Sequence, residues 1–530
     1  MNRVLDFRSR LVGGGVAIAL LIGLAACGGP PNWVKQGSGA YNEKDNKGFY
    51  GVGSVVGVRN EPLAWDTAEN RPSVNRYLLI DASLRAHDPK GADAIVQQAE
   101  KEYGDKSLVL YGMDRGMTLQ LAGEYQQSNA VLEQAEDEID RLYTRKIRTE
   151  ALAFMTNDTA LPYEGDPYEQ VLINVLKALN YAVLGQWQDA LVEARRIDHR
   201  LNVLSDRTKE KDAYRDDGFA RYLSGILYER TGDVNNAFIA YRKAYETFDT
   251  TRAWSHTVVP SQLREDLLRT AEALHFTQEL AEYRRLFPDT KWETSQSLQP
   301  LAQVIVISYN GRAPHKEDEF LDLPISLNAL QLVLFNRGIL RQNRQSNQAV
   351  DSVLYGLNGR VVRVALPRLI PQKTQVPVDR VSLIQDDNGT RVTLNTELVH
   401  NVTALADKAL SERMAGITVK ALSRAATKFA LAEGATRAAQ QAAGRDAGPW
   451  VGLLVGLLTK GLAVASEEAD KRSWQTLPDE IHLARVWIPP GRYQVQSSVG
   501  GSLDPLKPEV MRTLSLEPGE TAVLLQRVMP

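Results

Sequence analysis

The sequence predicts an α+β protein, with an α-helical repeat domain at about 74–295 followed by a mainly antiparallel β domain at 296–530. A helical hairpin inserted at about 399–468 interrupts the strands. Three observations carry this. Between Val74 and Pro288, small and aromatic residues at helical spacing recur on either side of Gly-containing turns. From about Gln299 the pattern changes to short β-rich runs, with Asn-Gly pairs between them. From Val399 to Arg445 an Ala-rich stretch returns to helical spacing before strands resume at Ile481.

The chain opens with Arg3, Arg8 and Arg10, an apolar run from Leu11 to Leu24, and then Leu24-Ala25-Ala26-Cys27. A bilayer span needs roughly 20 apolar residues, so residues 1–26 read as a signal peptide. The small residues ahead of the cysteine resemble the bacterial lipobox, where the thiol takes a diacylglycerol and cleavage follows. That resemblance implies a covalent lipid on Cys27, membrane lipid as a partner, and no other cofactor. Cys27 is the one cysteine in 530 residues, which excludes internal disulfides and zinc clusters. Several acyl chains give stable anchoring, since each buried CH₂ contributes about 0.8 kcal/mol. Gly28 and Gly29 follow, not the Asp that retains proteins in the inner membrane in the sorting pattern this resembles. The expectation is an outer-membrane lipoprotein facing the periplasm. Cleavage would take the net charge from −3 to −5, a near balance that gives no reason to expect nucleic acid as a partner.

Residues 27–73 read as a Gly-rich tether or truncated domain fragment. Gly51-Val52-Gly53 sits in a strand-like run, and Arg59-Asn60-Glu61-Pro62 breaks the chain where a dinucleotide loop would open a helix. Pro31-Asn32-Trp33-Val34, Phe49-Tyr50-Gly51-Val52-Gly53 and Ala68-Glu69-Asn70-Arg71 resemble the opening of a small outer-membrane lipoprotein antigen family, a likeness that stops at Pro72.

Three helix pairs follow. The first has Gly116, Gly123, Ser128, Leu132 and Ala135; the second Ala178, Tyr181, Gly185, Ala190 and Ala194; the third Gly225, Tyr228, Gly232, Ala237, Tyr241 and Ala244. They resemble tetratricopeptide repeats, with a polar insertion at Asp198–Asp216 and a degenerate cap at Ser261–Pro288. The first helix of each pair lines the hollow of such a stack. That places Met113, Met117 and Gln120, then Val175 and Leu179, then Tyr222, Ile226 and Glu229 on the concave face. So apolar a face is either a groove for an extended or helical peptide or is covered by the chain's own C-terminal domain or tether.

Strands are expected at Gln303–Ser308, Val361–Leu366, Val381–Ile384, Arg391–Asn395, Ile481–Ile488, Arg492–Ser497, Arg512–Leu516 and Thr521–Arg527. Asn310-Gly311 and Asn388-Gly389 are hairpin-turn signals. Trp450 to Ala465 is an apolar helix with Gly452 and Gly456 on one face. It is short for a span and open to three readings: packing on the Ala-rich helix, contact with a membrane surface or partner helix, or insertion.

Tyr111-Gly112-Met113-Asp114-Arg115-Gly116, Pro167 to Asn174, Arg472-Ser473-Trp474-Gln475-Thr476-Leu477-Pro478 and Leu483-Ala484-Arg485 together resemble a family of uncharacterised bacterial tetratricopeptide-repeat lipoproteins, over about 76–530. The likeness implies a repeat-bearing lipoprotein and brings no catalytic motif. The seven histidines form no HExxH-type pair, and His199 and His275 fall on expected helices. Neither GxSxG nor GxxxxGK[ST] occurs. The expectation is therefore a non-enzymatic interaction scaffold for one or more envelope proteins, without metal and of unspecified oligomeric state. The rival readings are a regulator of a cell-wall synthesis enzyme, a component of an envelope secretion or surface assembly, and an enzyme with an unrecognised site.

Overall fold

The computed structural model describes residues 57–59, 72–153, 161–207, 217–324, 361–374, 379–418, 420–421, 468–499 and 509–529. Cys27, the signal peptide, most of the tether and the Trp450–Ala465 segment lie outside them. The chain divides into two compact units: Met1–Arg59 with Phe320–Val364 and Ala421–Ser466, and Asn60–Glu319 with Ala365–Lys420 and Glu467–Pro530. In the first, strand β1 (Gly57–Arg59) pairs antiparallel with Phe320–Asp322 of β3 (His315–Pro324). The second holds the helices and the two larger sheets.

Its helical part is a run of antiparallel pairs. Helices α1 (Pro72–Arg85) and α2 (Pro89–Gln98) come first, with a single turn, α3 (Glu100–Tyr103), after them. The expected repeats then appear as α4 (Leu108–Leu121) with α5 (Tyr125–Ala153), α6 (Pro167–Val183) with α7 (Trp187–Arg207), and α8 (Gly218–Arg230) with α9 (Val234–Ser255). The expected cap is a fourth pair, α10 (Ser261–Ala273) and α11 (Thr277–Leu286), followed by the short α12 (Ser295–Leu298). Local chemistry sets the starts. Asp166 and Glu169 form a capping box with Pro167 in the first turn of α6, and Asp217 and Asp233 cap α8 and α9. Helix α7 continues through Asp198 to Arg207, so the first part of the expected insertion is helical, and the rest of it lies outside the described residues. His275 lies in the turn after α10 with φ 57°, not in a helix.

The β part is a sandwich of two four-stranded sheets. One runs β11 (Thr521–Val528), β2 (Ala302–Asn310), β8 (Glu480–Ile488), β7 (Glu397–Asn401). The other runs β10 (Glu509–Leu516), β9 (Gly491–Val499), β5 (Asp379–Gln385), β6 (Arg391–Asn395). All eight strands expected from the sequence form, with β4 at Val361–Ile370; the pairing in the two sheets is antiparallel except for β11 on β2. Asn388-Gly389 does turn β5 into β6, with Gly389 at φ 67°. Asn310-Gly311 does not make a hairpin, because β2 pairs with β8 and β11 and the chain leaves toward β3. Val399, expected to start the inserted hairpin, belongs to strand β7, and helix begins at 402. Strands β3 and β7 escape a pattern reading because one is crowded with charges and the other is five residues long.

Strand β2 is buried along its whole length and explains the layering. Ala302, Val304 and Val306 face the second sheet, packing with Val381, Leu383, Tyr493 and Val495. Ile305, Ile307 and Tyr309, on the other face, join the same core as the helices, together with Ile481, Leu483 and Trp474. A strand covered on both faces reads as an unbroken apolar run, which Val304–Ile307 is.

Candidate functional site

The eight residues expected on the concave face do converge, and the chain's own β sandwich covers them. Met113, Met117, Val175, Leu179, Tyr222 and Ile226 are all at most 1% exposed and belong to the core shared with β2 and β8. Gln120 is equally buried; its Oε1 accepts from the Tyr309 hydroxyl at 2.9 Å, and its Nε2 donates to Asn180 at 2.8 Å. Glu229 is bound at 2.8 Å by both Arg269 and Arg485. As a partner groove these eight residues are therefore corrected. Apolar surface of that size is buried within the molecule because the adjacent sheet presents a matching apolar face.

Polar clusters stitch this seam, and they account for the sequence motifs. Asp114 accepts the hydroxyls of Tyr77, Tyr103 and Thr476 at 2.6, 2.8 and 2.9 Å. Burial pushes its carboxyl up against the pull of those three donors. Asp266 and Glu229 hold Arg485 and Arg269, and Tyr222 donates to Asp266 at 2.8 Å. At the start of α6, Asp166 pairs with Lys316 at 3.1 Å and with Arg413 at 2.7 Å. Burial would raise the Asp166 carboxyl, but the two cations win and hold it below the usual range. Beside it, Glu169 accepts from the Tyr163 and Tyr168 hydroxyls and from the backbone N–H groups of Asp166 and Trp474. Burial, reinforced by Asp166, raises Glu169. Arg472 reaches the carbonyls of Lys106 and Leu161. Asp114, Glu169, Trp474, Thr476 and Arg485 all come from the quoted motifs, and they meet at one interface. Sequence reading missed Asp166, Asp266, Arg269 and Lys316, because each looks like an ordinary surface charge until the fold buries it.

On the opposite side of the helices lies an open cleft of about 510 Å³ between α5 and α7. Tyr181 and Val192 give it an apolar wall, while Gln126, Gln186 and Asp189 line it with polar groups. Glu133 and Arg196 close one end with a 2.8 Å ion pair. Beneath, Lys177 is 1% exposed and is neutralised by Glu133, Glu136 and Glu193. Burial opposes ionisation of Glu136, but Lys177, Asn174 and Arg200 outweigh it and lower its carboxyl to about 2. Asn129, 6% exposed, also lines the cleft, and its buried Nδ2 has no hydrogen-bond acceptor among the described residues. Among the described residues no group of three or more His, Cys, Asp or Glu is arranged to hold a metal ion, and no helix is long and apolar enough to cross a membrane.

No family model and no curated protein matches the chain. Among solved structures it is similar to MamA (residues 41 to the end) from Desulfovibrio magneticus RS-1, at 14% identity and a TM-score of 0.25, over 41% of this chain and 92% of that one. It is also similar to a Podosopora anserina putative kinesin light chain with nearly identical TPR-like repeats, at 14% identity and a TM-score of 0.28, over 42% and 95%.

Proposed function

We propose that the protein is a lipid-anchored interaction scaffold of the bacterial envelope, tethered through Cys27 to the outer membrane and facing the periplasm. The sequence Leu24-Ala25-Ala26-Cys27 supports the anchor. One observation carries the scaffold reading: the repeats and the sandwich share a single core, so the concave face is spent internally and a recess stays open on the outer helices. Anchoring would confine the scaffold to two dimensions and raise its encounter rate with other envelope proteins.

Fractionation and photo-crosslinking in intact cells test this together. The wild type should take up labelled palmitate and sediment with membranes, and Cys27→Ser should lose both. A photo-crosslinking residue at exposed Leu79, Val192 or Leu286 should give a higher-mass adduct at one or more sites in the anchored protein. Palmitate labelling without Cys27 would sink the anchor; no adduct from any of the three positions would sink the scaffold.

A further inference from the structure

Resting on the scaffold reading, we infer that the cleft between α5 and α7 binds an extended peptide segment in which a Lys or Arg stands two residues from an aliphatic side chain. The two helices are the second members of successive pairs and run in the same direction. The Glu133–Arg196 ion pair fixes their register. Counting back along both helices from that pair matches Asn129 with Val192 one turn away and Gln126 with Asp189 a further turn away, and all four line the cleft. Each turn advances about 5.4 Å. In an extended chain, side chains two residues apart share one face at roughly 6–7 Å, so alternate side chains match successive turns of the cleft.

Each step offers a different chemistry. Asp189 is exposed and has no cation partner among the described residues, whereas Glu133 and Glu193 are answered by Lys177 and Arg196. An incoming ammonium or guanidinium therefore finds its counter-ion at Asp189. Val192, 43% exposed, and Tyr181 provide the apolar contact one turn further on. Asn129 accepts from Asn180 through Oδ1 at 2.8 Å, while its Nδ2 lies buried beneath the cleft with no acceptor among the described residues; a small outward turn of this side chain would let a peptide carbonyl satisfy it. Asp189 also sits in the first turn of α7, where a carboxylate favours the helix dipole. That role concerns stability and predicts no effect on a peptide.

Fluorescence anisotropy with the full-length protein in detergent decides between them. The probe is fluorescein-labelled Gly-Ser-Arg-Ser-Leu-Ser-Gly; one control carries Glu for Arg, and the other has Arg and Leu adjacent, on opposite faces. The probe should bind more tightly than either control, and more weakly as salt is added. Asp189→Asn should weaken it about two- to fivefold, as expected for a solvent-exposed ion pair. Val192→Arg should abolish binding with an unchanged melting curve. If Val192→Arg does not fold, Asp189→Asn and the salt dependence decide alone. No binding by the wild type, equal binding of either control, or indifference to Asp189→Asn would overturn the assignment. An adduct in cells combined with any of those results would leave the scaffold standing without this ligand.

Discussion

Glu169 shows how a single side chain becomes part of an interface. Its two oxygens take four donors, three from the adjoining residues Tyr163, Asp166 and Tyr168 and one from Trp474, 305 residues away, and it is wholly buried. Its pKa is raised in the folded state, so between the ordinary glutamate range and the raised value the native protein holds a proton that the unfolded chain has released. The sign follows: this contribution is fully present below the unfolded pKa and is lost as pH rises through the folded one. The melting temperature should accordingly fall between pH 5 and pH 8. Glu169→Gln should flatten that slope while costing about 1–3 kcal/mol at pH 5, because an amide leaves one of the donors unanswered. An unchanged slope in scanning calorimetry would remove Glu169 from this role. Nothing in Tyr168-Glu169-Gln170 distinguishes this carboxylate from a solvated one; only its surroundings do.

Helix pairing is decided where backbones approach closely. A Cβ at Gly225 would overlap the Tyr241 ring, and one at Gly116 would overlap the Leu132 side chain. Tyr241 has little room to yield. Its ring lies 5.7 Å from that of Tyr222, and its hydroxyl donates to Glu229 at 2.7 Å. Gly225→Ala should therefore destabilise the protein by about 1–3 kcal/mol despite the better helix propensity of alanine. Urea denaturation showing equal or greater stability would refute the close approach. These glycines, with the Ala and Tyr positions around them, were legible in the sequence because helical periodicity is local. Strand β3 was not, since its charges disguise any alternation.

At the scale of the whole second unit, helices and sandwich share one core and are expected to unfold as one cooperative body. Trp474 is 1% exposed in the core they share, and its indole N–H donates to Thr476 at 2.9 Å. Trp474→Ala should cost about 3–5 kcal/mol. Amide exchange should slow or quicken together in α4, α8, β2 and β8; loss of protection in the strands alone would show two independent parts. The α+β class, the three repeats, the eight expected strands and the residues that would line the hollow were all fixed by local pattern, because turn chemistry and side-chain period act over a few residues. What fills the hollow was decided only by the tertiary structure. An apolar helix face looks the same whether a partner or the chain's own sheet covers it. Asp166 met Lys316 and Glu229 met Arg485 across 150 and 256 residues, distances over which a sequence carries no pairing rule. The close packing of two apolar surfaces brought those charges together, and burial then made their pairing obligatory.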